Sequence, residues 1–90
     1  MRIEWSLDAV RDLDRIQDYL IERNPGAAER VWLRIHQRVG LQAHIPFAAP
    51  LYGAGPARML VVGGTPYLVL YVVDGEVLRV EQVLHGAQAR

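Results

Sequence analysis

The chain has 90 residues, about half of them apolar (51%), and its ten basic residues balance ten acidic ones. That suffices for one small domain burying roughly 60–65% of the surface an unfolded chain exposes, but a neutral domain is not built as a broad nucleic-acid binder, whose affinity comes mainly from neutralising phosphates. Cysteine is absent, which excludes a disulfide framework and thiolate metal sites and points to the cytoplasm; signal peptide, membrane-spanning run, low-complexity tract and internal repeat are not found.

Taken in chain order, Arg2 to Trp5 reads as a short strand. Ser6 is placed as a helix N-cap, with Asp8 in the first turn against the helix dipole. Leu7, Val10, Leu13, Ile16, Leu20 and Ile21 then recur at helical spacing to about Arg23. Asn24-Pro25 stops this helix and starts another, the asparagine as N-cap and the proline at the first helical position. The second helix carries Ala28, Val31, Trp32, Ile35 and Val39 on one stripe and fades near His44 to Pro46. So short a connection predicts an antiparallel helical hairpin whose apolar stripes cover one face of a sheet.

The charges are unevenly laid on these helices, and every basic residue is an arginine. Asp14, Asp18 and Glu22 run at helical spacing on the first helix, Arg30, Arg34 and Arg38 on the second. Local pairs such as Asp8–Arg11, Asp12–Arg15 and Arg15–Asp18 compensate part of the first helix. Each stripe lies roughly 110° from its helix's apolar centre, and in an antiparallel hairpin both fall on the same side. They cannot both line the groove between the helices, so at least one is open to a partner, and arginines would take carboxylates or phosphates.

Residues 44 to 56, HIPFAAPLYGAGP, form a Pro/Gly-punctuated connector without a single charged side chain other than His44. Three strands then follow between Arg58 and Gln88, joined by turns at Gly63-Gly64 and Asp74-Gly75. Tyr67 to Val73 is the central strand, apolar on both faces. In Val77 to His85, strict alternation sets Leu78, Val80, Gln82 and Leu84 on one face. A three-residue loop, Val73-Asp74-Gly75, aligns Leu68, Leu70 and Val72 with Leu78, Val80 and Leu84. Those six are the expected core face. The opposite face, with Tyr67, Val69, Tyr71, Arg79, Glu81 and His85, is half polar and suits a partner surface.

The three histidines have no metal-binding spacing, and the chain has no Gly-rich phosphate loop, nucleophile elbow or catalytic acid pair. Neither metal nor cofactor is expected.

The α+β order of the elements (β-α-α-β-β-β, a helical hairpin on one face of a small, mainly antiparallel sheet) carries a wider resemblance. Its residues are Trp5, Ala9, Asp12-Leu13, Ile16, Tyr19-Leu20, Asn24-Pro25, Ala27-Ala28, Val31 and Ile35 in the helical half. After Pro46 come Arg58-Met59-Leu60-Val61-Val62, Gly64-Thr65-Pro66-Tyr67, Tyr71 and Val83-Leu84-His85-Gly86-Ala87. At these spacings the whole chain, as a single domain over residues 1–90, resembles the RelE/ParE superfamily of toxins from type II toxin–antitoxin modules, on the ParE side. The resemblance implies a cytoplasmic bacterial growth inhibitor, of the kind linked to plasmid stabilisation, neutralised by a cognate and ParD-like antitoxin without contact with a membrane.

Two targets are implied by different branches of the superfamily. ParE-like members are reported to poison DNA gyrase by binding; RelE-like members are ribosome-dependent mRNA endoribonucleases. Cleavage needs a base for the 2′-hydroxyl and cations for the phosphate transition state. Relatives of that kind place lysines or a glutamate near the connector, whereas this chain has neither between His44 and Pro56, and has Tyr67-Leu68 where a catalytic arginine is expected. Arg58, Arg79 and His85 remain as a nuclease set, with His85 as acid or base. The inhibitory binding protein is favoured over the enzyme, with Tyr67, Tyr71, Arg79 and His85 as target-binding residues. Arg30, Arg34, Arg38 and Val69 are the expected antitoxin-binding residues. Against the ParE pattern, a Gly-Arg pair after the proline is replaced by Ala48-Ala49-Pro50-Leu51-Tyr52, and the tail beyond His85 is short. A member that binds its antitoxin but has lost toxicity is the third alternative.

Overall fold

The computed structural model describes residues 1–88, so the last two residues of the expected short tail lie outside the described residues. The elements follow the expected order: β1 (Arg2–Trp5), α1 (Leu7–Arg23), α2 (Pro25–Gln42), β2 (Arg58–Val61), β3 (Tyr67–Asp74), β4 (Val77–His85) and a 3-10 turn (Gly86–Gln88). The sheet runs β1-β4-β3-β2, with β1 parallel to β4 and the other neighbours antiparallel.

The helical hairpin is built by its caps. Ser6 Oγ accepts from the Ala9 N–H at 3.0 Å. Asn24 closes α1 by donating its backbone N–H to Leu20 O (2.7 Å), then opens α2 by accepting from the Ala27 N–H (3.1 Å). One residue thus satisfies orphan groups of two helices. Gln17 Nε2 ties the pair together by donating to Ala28 O at 3.0 Å.

The buried stripe of α1 differs from the one expected. Ala9 and Leu13 are buried and Ile16 and Leu20 half-buried, whereas Leu7, Val10 and Ile21 are exposed. The spacing 9, 13, 16, 20 is a helical stripe whose first member is small, and a reading weighted towards large apolar residues passes over it. On α2 the expected Ala28, Val31, Ile35 and Val39 are buried. Trp32 is not: it stacks on His36 at 3.7 Å between ring centroids, and His36 stacks in turn on Trp5 of β1 at 4.9 Å.

The faces of the sheet are the reverse of the expected ones in β3. Tyr67, Val69 and Tyr71 point into the helix-side core, together with Leu60 and Val62 from the β2 segment and Leu78, Val80 and Val83 from β4. Leu68 and Leu70 take the opposite face with Leu84, across which Leu68 is directly paired. Two features cause the reversal. The β3–β4 loop is Gly75–Glu76, not Val73–Gly75, so Asp74 pairs with Val77 and Tyr71 with Val80. Gly75 has φ 59°, as the first central position of a two-residue type II′ turn requires. The register then shifts between Leu70 and Tyr71, which pair with Gln82 and Val80, leaving Glu81 as the extra residue of a β-bulge. The bulge changes the parity of β4. Val83 and His85 face the helices where unbroken alternation would have put Gln82 and Leu84.

Helix α1 supplies the partners that a bulged strand lacks. β1 pairs with β4 only as far as Val80, and Ser6 N–H donates to Val80 O at 2.9 Å. Beyond that point Ser6 Oγ donates to Glu81 O at 2.8 Å, and Asp12 Oδ2 accepts from the Val83 N–H at 3.0 Å. Asp12 also pairs with the exposed Arg15. At the other end of α2, the buried Gln42 donates to Tyr71 Oη (3.0 Å) and Ile45 O (3.2 Å) and accepts from Arg38 (3.0 Å). Tyr71 in turn donates to Pro46 O at 2.6 Å. The connector is therefore fastened to the central strand, and the buried side-chain polar atoms among the described residues all have hydrogen-bond partners.

Tyr67 is a buried residue of this core. Its phenol pKa lies above the ordinary 10.0, through burial first and the nearby Tyr19 second. A raised value in the folded state means stability that is complete below about pH 10 and is lost as pH rises through the folded pKa. Tyr67→Phe is expected to flatten the loss of stability in urea titrations run between about pH 9 and 11. Leaving the bulge without partners exposes an unmet buried backbone group, a cost of about 1–3 kcal/mol. Ser6→Ala and Asp12→Ala are therefore each expected to lower the unfolding free energy by about 1–3 kcal/mol. Asp12→Asn, which keeps an acceptor oxygen, should lose less, and Asp14→Ala on the exposed flank should stay within about 0.5 kcal/mol of the parent.

Candidate functional site

The three residues that could form a nuclease centre are placed apart. Arg58 lies opposite Tyr71 on the helix side of β2. Its Nη1 donates to Phe47 O (3.2 Å) and Ala49 O (2.8 Å), and its guanidinium sits 5.2 Å from the Phe47 ring centroid. It clamps the connector to the sheet. Arg79 lies opposite Val72, on the other face. There it donates to Asp74 at 2.9 Å and pairs with Glu81 at 3.8 Å. The hydrogen bond to Asp74 is the main reason its pKa is raised, against the opposing effect of burial, and the charges of Asp74, Glu81 and Glu4 add to it. His85 ends β4 on the helix side, paired with Tyr67 and edge-on to its ring at 5.6 Å. Its Nδ1 accepts from the Ala87 N–H at 3.1 Å, which leaves the other ring nitrogen as the protonated one in the neutral form. An edge-strand clamp, an outer-face ion pair and a strand-end histidine do not converge on one substrate.

Of the residues expected to bind partners, Val69 and Tyr71 are fully buried and present no surface. The expected exposed patch of Tyr67, Val69 and Tyr71 is therefore corrected: with the bulged register these side chains fill the space under the helices. Of the three, Tyr67 alone lines a surface depression, where two clefts meet. One, of about 650 Å³, opens between α1 and the end of β4, with Asp12, Arg15, Ile16 and Tyr19 on one wall and Val83, Leu84 and His85 on the other. The second, of about 580 Å³, opens between α2 and the β2–β3 turn and carries Arg30, Arg34 and Gln37 facing Gly64 and Thr65. Leu20, Pro66 and Tyr67 line both, so the clefts form one continuous depression around the β2–β3 turn.

The arginine stripe divides in this setting. Arg38 is bound to Gln42. Arg30 and Arg34 face the second cleft and have no ion pair or hydrogen bond through their side chains among the described residues. Sequence reasoning named Tyr67 and His85 of the first cleft as site residues but none of its α1 wall. Tyr19, half exposed with the Arg23 guanidinium 3.7 Å from its ring centroid, and Arg15 both border or flank it. The Trp5–His36–Trp32 stack was equally invisible, since nothing in the spacing of those residues brings a strand end to the middle of a helix. Among the described residues no group of His, Cys, Asp or Glu could hold a metal, and no helix is long and apolar enough to cross a membrane.

Comparison with known proteins accounts for this architecture. Residues 3–90 match the family model described as the ParE toxin of the type II toxin–antitoxin system, parDE. A putative toxin, Y4kP, of Sinorhizobium fredii is 34% identical over 87 residues, covering 97% of this chain and 90% of that protein. Toxin RelE2 of Caulobacter vibrioides is 29% identical, with 97% of each chain covered. In fold, the chain is similar to a chain of the chromosomal ParDE toxin–antitoxin system from P. aeruginosa, with a TM-score of 0.83 at 20% identity over 94% of this chain and 95% of that one. The chain belongs to the ParE toxin family of type II toxin–antitoxin systems.

Proposed function

We propose that this chain, as a single toxin domain, inhibits growth by binding DNA gyrase in the cytoplasm rather than by cleaving RNA, and that a cognate, ParD-like antitoxin neutralises it. The observation that supports binding over cleavage is the dispersal of Arg58, Arg79 and His85, two of which are already engaged by the protein's own carbonyls and carboxylates. A cation committed to an internal carboxylate is a poor stabiliser of a phosphate transition state, which needs preorganised and unspent charge. Arg79 and His85 remain on the surface as target-binding residues in this reading.

The antitoxin is read as a segment that folds as it binds, laying an amphipathic stretch over the helical hairpin and into the joined clefts. Arg30 and Arg34 at the second cleft, with Arg38 beyond them, are its contacts on α2. Purified toxin is expected to inhibit gyrase supercoiling and to trap cleavage complexes, with antitoxin reversing both. Absence of any effect at high micromolar toxin, in a chain that still arrests growth in cells, would sink the gyrase reading.

One observation favours a second reading. His85 shares the first cleft with Asp12, Arg15 and Tyr67, so an acid or base and a cation line one depression that an RNA strand could enter. Ribosome-dependent mRNA cleavage by this group predicts that His85→Ala abolishes toxicity while antitoxin binding persists, and that ribosome-bound mRNA is cut by the parent protein alone. Full toxicity of His85→Ala would exclude it.

A further inference from the structure

The second cleft contains an arginine seated on a glycine. Gly64 has φ +79°, a left-handed conformation that the β2–β3 turn uses. A Cβ at this position would lie 2.6 Å from Arg34 Nη2 and 3.3 Å from Cζ and Nε. The guanidinium therefore occupies space that a side chain at residue 64 would take. Neighbouring Gly63 is different, since a Cβ there meets nothing within 4 Å. One turn earlier on α2, Arg30 reaches the same cleft.

Four arginines elsewhere are paired with carboxylates: Arg2 with Glu4, Arg15 with Asp12, Arg23 with Glu22 and Arg79 with Asp74. Arg30 and Arg34 have no such partner among the described residues. Holding a long cationic side chain in place costs rotamer entropy. Here Arg34 sits against Gly64 without an anion, which leaves its fork available to one. Beside Gln37 and Thr65, the cleft has an apolar wall that includes Leu20, Val31, Pro66 and Tyr67. Its volume of about 580 Å³ would hold one or two side chains of a peptide.

We infer that this cleft is a socket for a carboxylate-bearing segment of the antitoxin: an Asp or Glu takes the forks of Arg34 and Arg30, and an adjacent apolar side chain fills the trough. The inference rests on the toxin–antitoxin reading above and gives its partner a chemistry. Guanidinium and carboxylate form paired, charge-assisted hydrogen bonds, stronger than neutral ones and directional enough to set the register of a bound chain. A phosphate could meet the same two arginines, but the apolar wall and the zero net charge of the protein favour a peptide over a nucleic-acid strand. Gly64 belongs to the socket, because a side chain there would displace the Arg34 guanidinium from its present position.

The test is antitoxin affinity, measured by calorimetry at low and at moderate salt, with thermal unfolding of each variant as a control for folding. Arg34→Ala is expected to weaken binding about 10- to 100-fold at low salt, Arg30→Ala less, and both should flatten the salt dependence. Gly63→Ala should bind like the parent. Gly64→Ala should weaken binding, and since it also strains the turn, Arg34→Lys serves as the second variant: it keeps the charge, loses the fork, and should fall between parent and Arg34→Ala. Arg34→Glu should be rescued by changing one antitoxin acid to Arg. Parent-like affinity of both Arg34→Ala and Arg30→Ala, with the parent still binding tightly, would overturn the socket and leave the toxin–antitoxin reading intact. Failure of the parent itself to bind the antitoxin would overturn that reading. Binding of a single-stranded RNA oligonucleotide that depends on Arg34, with antitoxin affinity unchanged by Arg34→Ala, would overturn the socket in favour of a phosphate ligand.

Discussion

The β-bulge at Glu81, held by Ser6 and Asp12, is the constraint on which the remaining geometry rests. An extra residue in β4 leaves its outer edge without a strand partner just where β1 ends. The first turns of α1 take over that edge, one hydroxyl donating to Glu81 O and one carboxylate accepting from the Val83 N–H. Ser6 thus joins three structures at once: it continues β1, caps α1 and anchors the bulge. The helix cannot rotate or slide along the sheet without leaving backbone groups unmet, and unmet buried groups cost more than the bonds themselves contribute.

From that register follow the core and the surface together. With parity changed after Val80, Val83 packs under the helices and Gln82 is turned to solvent. Tyr67, at the start of β3, comes to lie at the rim where α1, α2 and the β2–β3 turn meet. A single buried ring therefore divides the depression into an α1 side with His85 and an α2 side with Arg30 and Arg34. The two sides differ in chemistry. The first mixes a histidine, an aspartate and an arginine already paired to it; the second offers guanidinium groups without an ion pair among the described residues, beside an apolar wall.

Membership of the ParE toxin family and activity rest on different grounds. A fold at 20% identity to a ParDE system chain establishes the architecture, while activity resides in side chains placed on it. Here the sheet offers no convergent set of free cations. Arg58 maintains the connector, Arg79 is surrounded by carboxylates, and the connector itself is free of lysine and glutamate. The surface offers joined clefts and exposed apolar side chains along the connector such as Ile45, Phe47 and Leu51.

Read by itself, the sequence determined the elements and their order, because these depend on local chemistry. Ser6 and Asn24 as caps, Pro25 at a helix start and glycines at reversals act within a few residues of chain. It also determined the α2 stripe apart from Trp32, and the family resemblance. It did not determine which face of β3 meets the helices, since Leu68, Leu70 and Val72 are as apolar as Tyr67, Val69 and Tyr71. A trace of the answer was present in Gln82, a polar residue that unbroken alternation forced into an otherwise apolar face, and Ala9 similarly marked the true stripe of α1. Only the tertiary structure decided the parity, because a bulge is stabilised by groups far away in sequence, Ser6 and Asp12 being 75 and 71 residues from their partners. The clefts share that dependence: each is bounded by elements that meet only after the register has been chosen.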